Sequence, residues 1–280
     1  MIFWLIIATL LKQLVFSAAI PLWHGPDEQA HFAQIQYYAE FKSQFINDSK
    51  LSTTSQEVII AEELLGTKRD ALGKNLFTHN PAYRIDYTTT TMGTYESLLQ
   101  NLPVSSRTHL IAKEATVYPP LYYILGAFAY LLTHPASLID RVFAVRLVSI
   151  LSSLLTVWLS YLIGKKIFVG NRLAPVTLAT MVSFQPMFSF LGSSVNSDNL
   201  MNLLFTAWLY CAVSYITQAK MTKKLLTIWM AVTLAGWITK PHFAIVLFML
   251  PLLLPGKIIV LAFIASLLLI FGLKPTLRFS

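Results

Sequence analysis

Long apolar stretches, separated by short polar or basic segments, constrain the fold of this chain more than any other feature. Runs of about 17 to 25 mostly apolar residues recur, and a helix of that length crosses a hydrocarbon core of roughly 30 Å. Of the 280 residues, 55% are hydrophobic and only 12% are charged, whereas ordinary soluble domains carry roughly 25% charged residues. The sequence therefore predicts an all-α fold, a polytopic bundle of transmembrane helices.

The formal net charge of +8 does not indicate a nucleic-acid partner. The basic residues form no patch interleaved with aromatic residues and lie instead in three short segments: Lys165, Lys166 and Arg172; Lys220, Lys223 and Lys224; and Lys257. The positive-inside rule places these segments on the cytoplasmic side of a lipid bilayer. The only cysteine, Cys211, excludes an intrachain disulfide.

We divide the chain into a first transmembrane helix (1–22), a long outer loop with interfacial helices (23–140) and a helix bundle (141–280). The apolar segments after the first helix are 119–133, 141–163, 173–192, 198–217, 224–239, 241–254 and 257–273. Segment 119–133 is short and starts with two prolines, so we expect it to lie in the outer interface or to re-enter. If segment 119–133 crossed the membrane fully, the basic segments that follow it would lie on the outer side, against the positive-inside rule. About seven spans follow from this assignment.

The first apolar run does not have the pattern of a cleaved secretory signal. It lacks a basic start, and Lys12 and Gln13 interrupt it midway. We therefore expect a retained helix, in which Lys12 faces the bundle or reaches the inner surface, because a lipid-facing ammonium is costly.

The first polar residues after this helix suggest chemistry. A helix over 27–40 places four side chains on one face: Asp27, His31, Gln34 and Tyr38. We expect this helix to lie along the outer membrane surface with that polar face turned away from the bundle. Asp27 with His31 as partner can serve as a general base. The alternative is that Pro26, Asp27 and Glu28 are ordinary first-turn residues.

Three further groups lie on the same predicted face. Arg141, Arg146 and Lys240 are cations near the outer boundary, and each is either part of a structural ion pair or a phosphate ligand. The stretch Tyr118–Tyr123 is typical of an interfacial aromatic belt. Asp198 follows Asn196 and Ser197, where a helix cap is the simpler reading.

Taken in order, these motifs resemble the GT-C membrane glycosyltransferases, in particular the protein O-mannosyltransferase-like and aminoarabinose-transferase-like branch. The resemblance covers residues 1 to about 255 and rests on motif order and spacing. It includes Asp27-Glu28 at a helix start, Pro119-Pro120, Arg146-Leu147-Val148-Ser149 and Thr239-Lys240-Pro241. Members usually continue with further spans and often a soluble outer domain. This chain is therefore expected to be a fragment, a truncated product or a minimal member.

The resemblance implies an inverting transfer of a sugar from a polyprenyl-phosphate donor to an acceptor, on the outer face of the plasma (inner) membrane. The resemblance implies no tightly bound cofactor, and it leaves open whether the acceptor is a protein, a lipid or a glycan. The roles it implies are catalytic for Asp27, as the base, and Glu28; acceptor-binding or base-orienting for His31, Tyr118 and Asp198; and donor-phosphate binding for Arg141, Arg146 and Lys240. Members usually carry histidine or lysine at the position of Tyr118, so that contact is a departure.

A divalent metal held by Asp27, Glu28 and His31 is disfavoured, because adjacent side chains on a helix point in different directions. Two other functions stay open: a transporter or flippase for a lipid-linked or anionic solute, and a non-catalytic scaffold. Against transport, charge within the spans is sparse and no inverted halves are visible. A metalloprotease is disfavoured because the sequence contains no His-Glu-x-x-His motif.

Overall fold

The structure is a computed structural model that describes residues 1–41, 54–67, 88–111, 119–218 and 221–246, together with residue 249. In these ranges the regular elements are helices, and the β-type pairing consists of an isolated bridge between Ser55 and Leu110. The prediction of an all-α fold is confirmed for this part of the chain.

The helices follow one another in chain order. They are α1 (Ile2–Ala19), α2 (Glu28–Phe41), α3 (Gln56–Leu64), α4 (Thr89–Gln100), α5 (Leu121–Leu132), α6 (Leu138–Ile167), α7 (Ala174–Ser183), α8 (Pro186–Gly192), α9 (Asp198–Gln218) and α10 (Lys223–Trp237). Short 3-10 turns cover Val104–Arg107 and Pro241–Ala244.

Three of these helices, α1, α6 and α9, are long and apolar enough to cross a membrane. The pair α7 and α8 forms a fourth candidate, bent by 61° at the break between its two helices. Helix α5 has only 12 residues, which agrees with the expectation that 119–133 does not cross. The predicted segments 241–254 and 257–273 lie mostly outside the described residues, so the number of seven spans stays a prediction.

Helix α6 lies at the centre of the bundle and packs against α1, α5, α7 and α9. Its first turn is capped by Ser137, whose hydroxyl accepts a hydrogen bond from Asp140 N, and its last turn carries Lys165 and Lys166. Acids at the start and cations at the end of a helix stabilise it through the helix dipole. Its buried face is rich in small hydroxyl residues, namely Ser149, Ser152, Ser153, Thr156 and Ser160. Small side chains allow close helix contact in membranes.

The turns at one end of the bundle are joined by hydrogen bonds. Asn196 Nδ2 donates to Pro26 O at 3.1 Å, and Leu121 N donates to Ile238 O at 2.9 Å. The basic turn between α6 and α7 lies at the opposite end, where Gly164 closely approaches Pro175. The outer motifs and the basic segment are therefore at opposite ends, as the sequence predicted.

Lys12 lies on the inner side of α1, toward the break between α7 and α8. Its ammonium donates to Ser183 O, the last residue of α7, and to Ser189 Oγ at 2.8 Å. Of the two placements expected for Lys12, the structure therefore shows the one that faces the bundle.

The prediction of an exposed polar face on the first loop helix is wrong. Helix α2 covers nearly the predicted range, but it is buried on almost all sides, including His31 and Gln34. Helix α5 packs against it, with Tyr123 on His31, and α3 contributes Glu57, which accepts a hydrogen bond from Gln36. Helices α3 and α5 thus cover the polar side chains of α2, a packing that the sequence does not predict.

Candidate functional site

The turn between α1 and α2 has an unusual backbone. Trp23 and Asp27 are the two described non-glycine residues with positive φ, at 65° and 55°. A bulky residue such as tryptophan rarely adopts this conformation, whereas aspartate does so more readily. Gly25 lies between them, and a Cβ added there would stand 2.5 Å from Ser194 Cβ. The turn is therefore pressed against the loop between α8 and α9.

Glu28 fixes this turn from inside. Its side chain is fully buried, and its two carboxylate oxygens accept four hydrogen bonds: from Trp23 N, Val195 N, Arg146 Nε and a terminal nitrogen of Arg146. Strained backbone persists where surrounding contacts determine it, and it concentrates at functional sites. The buried carboxylate of Glu28 supplies such contacts by holding Trp23 N in the turn and Val195 N in the loop between α8 and α9.

Arg146 has no capacity left for a ligand. Besides its bidentate pair with Glu28, it donates to the carbonyl oxygens of Ser17, Ile20 and Pro21 at the end of α1. A guanidinium has five N–H donors, and all five are used. The geometry supports the alternative of a structural ion pair, and it does not support donor-phosphate binding by Arg146.

Arg141 is in a second buried cluster. Its guanidinium is fully buried, forms an ion pair with Glu57 and donates to Tyr130 Oη at 2.7 Å and to Ala136 O. Gln36 Nε2 donates to Glu57 at 2.6 Å. The cluster joins α2, α3 and α5, which belong to the outer loop, to α6 of the bundle. Phosphate binding by Arg141 is therefore not supported either, because the group is enclosed and already paired.

Lys240 is the predicted cation whose carboxylate partner is partly exposed, although Lys240 itself is buried. Its Nζ lies 2.6 Å from Asp198 Oδ1, and the side chains of the two residues are 11% and 42% exposed. Asp198 N donates a hydrogen bond to Asn196 Oδ1 at 2.8 Å, and Asn196 Nδ2 donates to Pro26 O at 3.1 Å. The Lys240–Asp198 pair and the Asp27 turn are thus linked through one residue.

His31 and the tyrosines of α5 lie beneath this surface. His31 Nδ1 is 2.8 Å from Tyr123 Oη, and the two rings stack. Tyr122 Oη is 2.9 Å from Ser149 Oγ, and burial raises the pKa of the Tyr122 phenol well above its usual range. This hydroxyl therefore stays protonated. His31, Tyr122 and Tyr123 all have buried side chains, so they support the site rather than line it.

The structure brings together some of the predicted site residues and separates others. Asp27 is exposed, at the same end of the bundle as Asp198 and Lys240. Glu28 is buried, and its carboxylate already accepts four hydrogen bonds. It is therefore unsuited to act as a second catalytic acid. Tyr118 lies outside the described residues. Among the residues that the structure does describe, no group of three or more His, Cys, Asp or Glu side chains is arranged to hold a metal ion.

Several residues of the site were not predicted from the sequence. Glu57, Tyr130 and Gln36 form the environment of Arg141, and the backbone N–H of Val195 binds Glu28. An arginine in an apolar stretch signals that a buried partner exists. Which of the loop acids is that partner depends on tertiary packing.

The fold and the site define a class: a helical membrane protein with a buried ion pair beneath a strained polar turn at one end of its bundle. The profile of a family described as "Predicted membrane protein (DUF2142)" matches residues 10–273. The chain belongs to this family. Searches of curated proteins and of solved structures found no match.

Proposed function

We propose that this protein is a glycosyltransferase of the GT-C type that takes a sugar from a polyprenyl-phosphate donor. One observation carries the proposal: Asp27 presents an exposed carboxylate on a left-handed backbone at the same end of the bundle as the ion pair between the buried Lys240 and the partly exposed Asp198. A general base and a phosphate-binding cation are the two groups that such a transfer needs.

In this mechanism Asp27 removes the proton from an acceptor hydroxyl. The oxygen attacks the anomeric carbon, and the bond from that carbon to the phosphate oxygen breaks on the opposite side, so that the configuration inverts. The lipid phosphate leaves with the bonding electron pair. Inversion in one step needs one base and no protein nucleophile, which suits a site in which Glu28 is buried and engaged.

Lys240 is the proposed ligand of the departing phosphate. Asp198 holds its ammonium at 2.6 Å and is itself partly exposed, so that an incoming phosphate can share or replace this contact. Arg141 and Arg146 have positioning roles: Arg146 anchors the turn that contains Asp27 through Glu28, and Arg141 anchors the loop helices through Glu57.

The proposal is tested with purified protein and a panel of radiolabelled polyprenyl-phosphate sugars. Wild type is expected to release label to an acceptor or to water from at least one donor, and Asp27→Asn is expected to lose this activity. Asp140→Asn is a matched control, because Asp140, like Asp27, is an exposed acid near the start of a helix at this end. Loss of activity in both variants, or in neither, would remove Asp27 from the mechanism.

A second candidate function is transport of a lipid-linked or anionic solute. The observation that favours it is the broken span α7–α8, with the intramembrane Lys12 at the break, since discontinuous helices form the substrate sites of many transporters. Flux of a labelled donor lipid across proteoliposomes distinguishes the two functions. A transporter is expected to keep this flux in Asp27→Asn and lose it in Lys12→Gln.

A further inference from the structure

A cavity of about 630 Å³ lies between α6, the broken span α7–α8 and α9. Its wall is mainly apolar and includes Leu178, Phe188 and Leu209. Met181 and Met187 also line it, yet they are 69% and 54% exposed, so the cavity opens sideways at the bend of the broken span. In a bilayer this opening meets hydrocarbon, and its volume lies in the roughly 300–1,000 Å³ range of ligand pockets.

One end of this cavity leads to the basic turn between α6 and α7. Ile163 lines the cavity, and Lys166 follows three residues later on the same face of α6. The Lys166 ammonium lies 5.3 Å from the ring centroid of Tyr210, which directly follows the lining residue Leu209 on α9. Lys166 is thus in the crevice between α6 and α9, where the cavity approaches the membrane surface.

The charge around this end is positive. Lys165 and Arg172 lie in the same turn as Lys166 and are exposed. In the described part of the chain, these three cations form no ion pair with a carboxylate. The positive-inside rule places the turn in the cytoplasm, where basic pockets between transmembrane helices bind anionic lipid headgroups.

We propose that the cavity binds one anionic phospholipid of the cytoplasmic leaflet. One acyl chain occupies the apolar cavity, and the phosphate contacts the basic cluster of Lys165, Lys166 and Arg172. Charge complementarity selects an anionic phospholipid over a zwitterionic one, and the lateral opening gives the acyl chain a route from the bilayer. This site is separate from the proposed transferase site, which lies at the other end of the bundle.

The charge requirement is tested by measuring how much lipid the purified full chain retains after detergent exchange. The probes are dioleoyl phosphatidylglycerol and dioleoyl phosphatidylcholine, which have identical chains, and retention is quantified by mass spectrometry. Lys166→Gln combined with Arg172→Gln is expected to weaken phosphatidylglycerol binding about 25-fold, about fivefold for each charge, with phosphatidylcholine unchanged. The matched control is Lys223→Gln with Lys224→Gln, which removes two charges at the start of α10. An equal loss in the control pair would show diffuse surface attraction and overturn the proposal.

The chain requirement is tested by filling the cavity. Leu178→Trp is expected to reduce retention of both lipids about tenfold, whereas Leu155→Trp, at an exposed position of α6 that does not line the cavity, is expected to leave retention unchanged. Unchanged retention in Leu178→Trp would contradict the proposal.

Wild-type protein gives a test that does not depend on folded variants. Phosphatidylglycerol with a photoreactive diazirine near the end of one acyl chain is expected to label residues in 156–163, 178–191 or 202–209. Label found only on α1 or α10 would show that another occupant fills the cavity, such as a further segment of this chain, and would overturn the proposal.

Discussion

Asp27 and Glu28 are neighbours in the chain, but their side chains lie in opposite environments. Asp27 is exposed and Glu28 is fully buried, because the left-handed backbone at Asp27 turns the chain immediately before α2 begins. The two acids therefore have different roles. Glu28 holds the turn in place, and Asp27 is the exposed carboxylate to which we assign the role of base.

Glu28→Gln is predicted to destabilise the protein by about 3 kcal/mol, since it removes one partner of a buried ion pair and leaves the Arg146 guanidinium without its countercharge. The measurement is thermal and denaturant unfolding in detergent. Glu96→Gln, at an exposed position of α4, is the control and is expected to change the free energy of unfolding by less than about 0.5 kcal/mol. Equal effects of the two substitutions would mean that the buried pair is not important for stability.

Gly25→Ala tests the close contact between the turn and the loop before α9. The new Cβ would stand 2.5 Å from Ser194 Cβ, and such overpacking costs about 1–3 kcal/mol. The double variant Gly25→Ala with Ser194→Gly removes the clashing atoms and is expected to recover most of the loss. Gly93→Ala is the control, because nothing lies near its added Cβ. A stable single variant, or a double variant no better than the single one, would contradict this geometry.

At the scale of the elements, it was easier to predict where a helix forms than which residues pack against it. The lengths of the apolar runs indicated α1, α6 and α9, and the proline pair indicated that α5 is short. The burial of α2 was not predictable, because its polar residues are covered by α3 and α5, which are distant in sequence. The same limit applies to Arg141 and Arg146: their need for partners was visible, and the identity of those partners was not.

The broken span gives a prediction for Lys12. Its ammonium neutralises the carbonyl end of α7 and contacts Ser189 across the break. Lys12→Met is expected to cost about 1.5–3 kcal/mol, the usual contribution of hydrogen bonds from a charged group, as measured by thermal unfolding. Lys223→Met, at the start of α10 on the surface, is expected to have little effect. A Lys12→Met protein as stable as wild type would show that the break forms without this contact.

At the scale of the whole molecule, the arrangement predicts which turns lie on the same side of the membrane. Cys211 is buried, so single cysteines can be introduced into the native background. Thr108→Cys is expected to react with an impermeant maleimide in intact cells, whereas Asn171→Cys and Lys223→Cys are expected to react only after permeabilisation. Labelling of Asn171→Cys in intact cells would invert the orientation and place the proposed catalytic turn in the cytoplasm.

The distribution of charged residues along the sequence predicted which residues share one end of the bundle, but not the role of each. Lys240, Asp198 and Asp27 were placed on one face from the order of helices and basic turns, and the contacts through Asn196 are consistent with that arrangement. The role of each charged residue on this face depends on whether its side chain is buried. Whether a charged side chain is enclosed or open is decided by packing between segments far apart in the chain, which a single sequence does not specify.

The most direct test of the account is the rate of sugar transfer by Asp27→Asn, measured beside its affinity for the same polyprenyl-phosphate donor. Removal of a general base is expected to lower the rate by about 10²- to 10⁴-fold, while donor affinity, which is assigned to Lys240, stays near that of wild type. A variant that binds the donor and transfers sugar within about tenfold of the wild-type rate would contradict the role of Asp27 as the base.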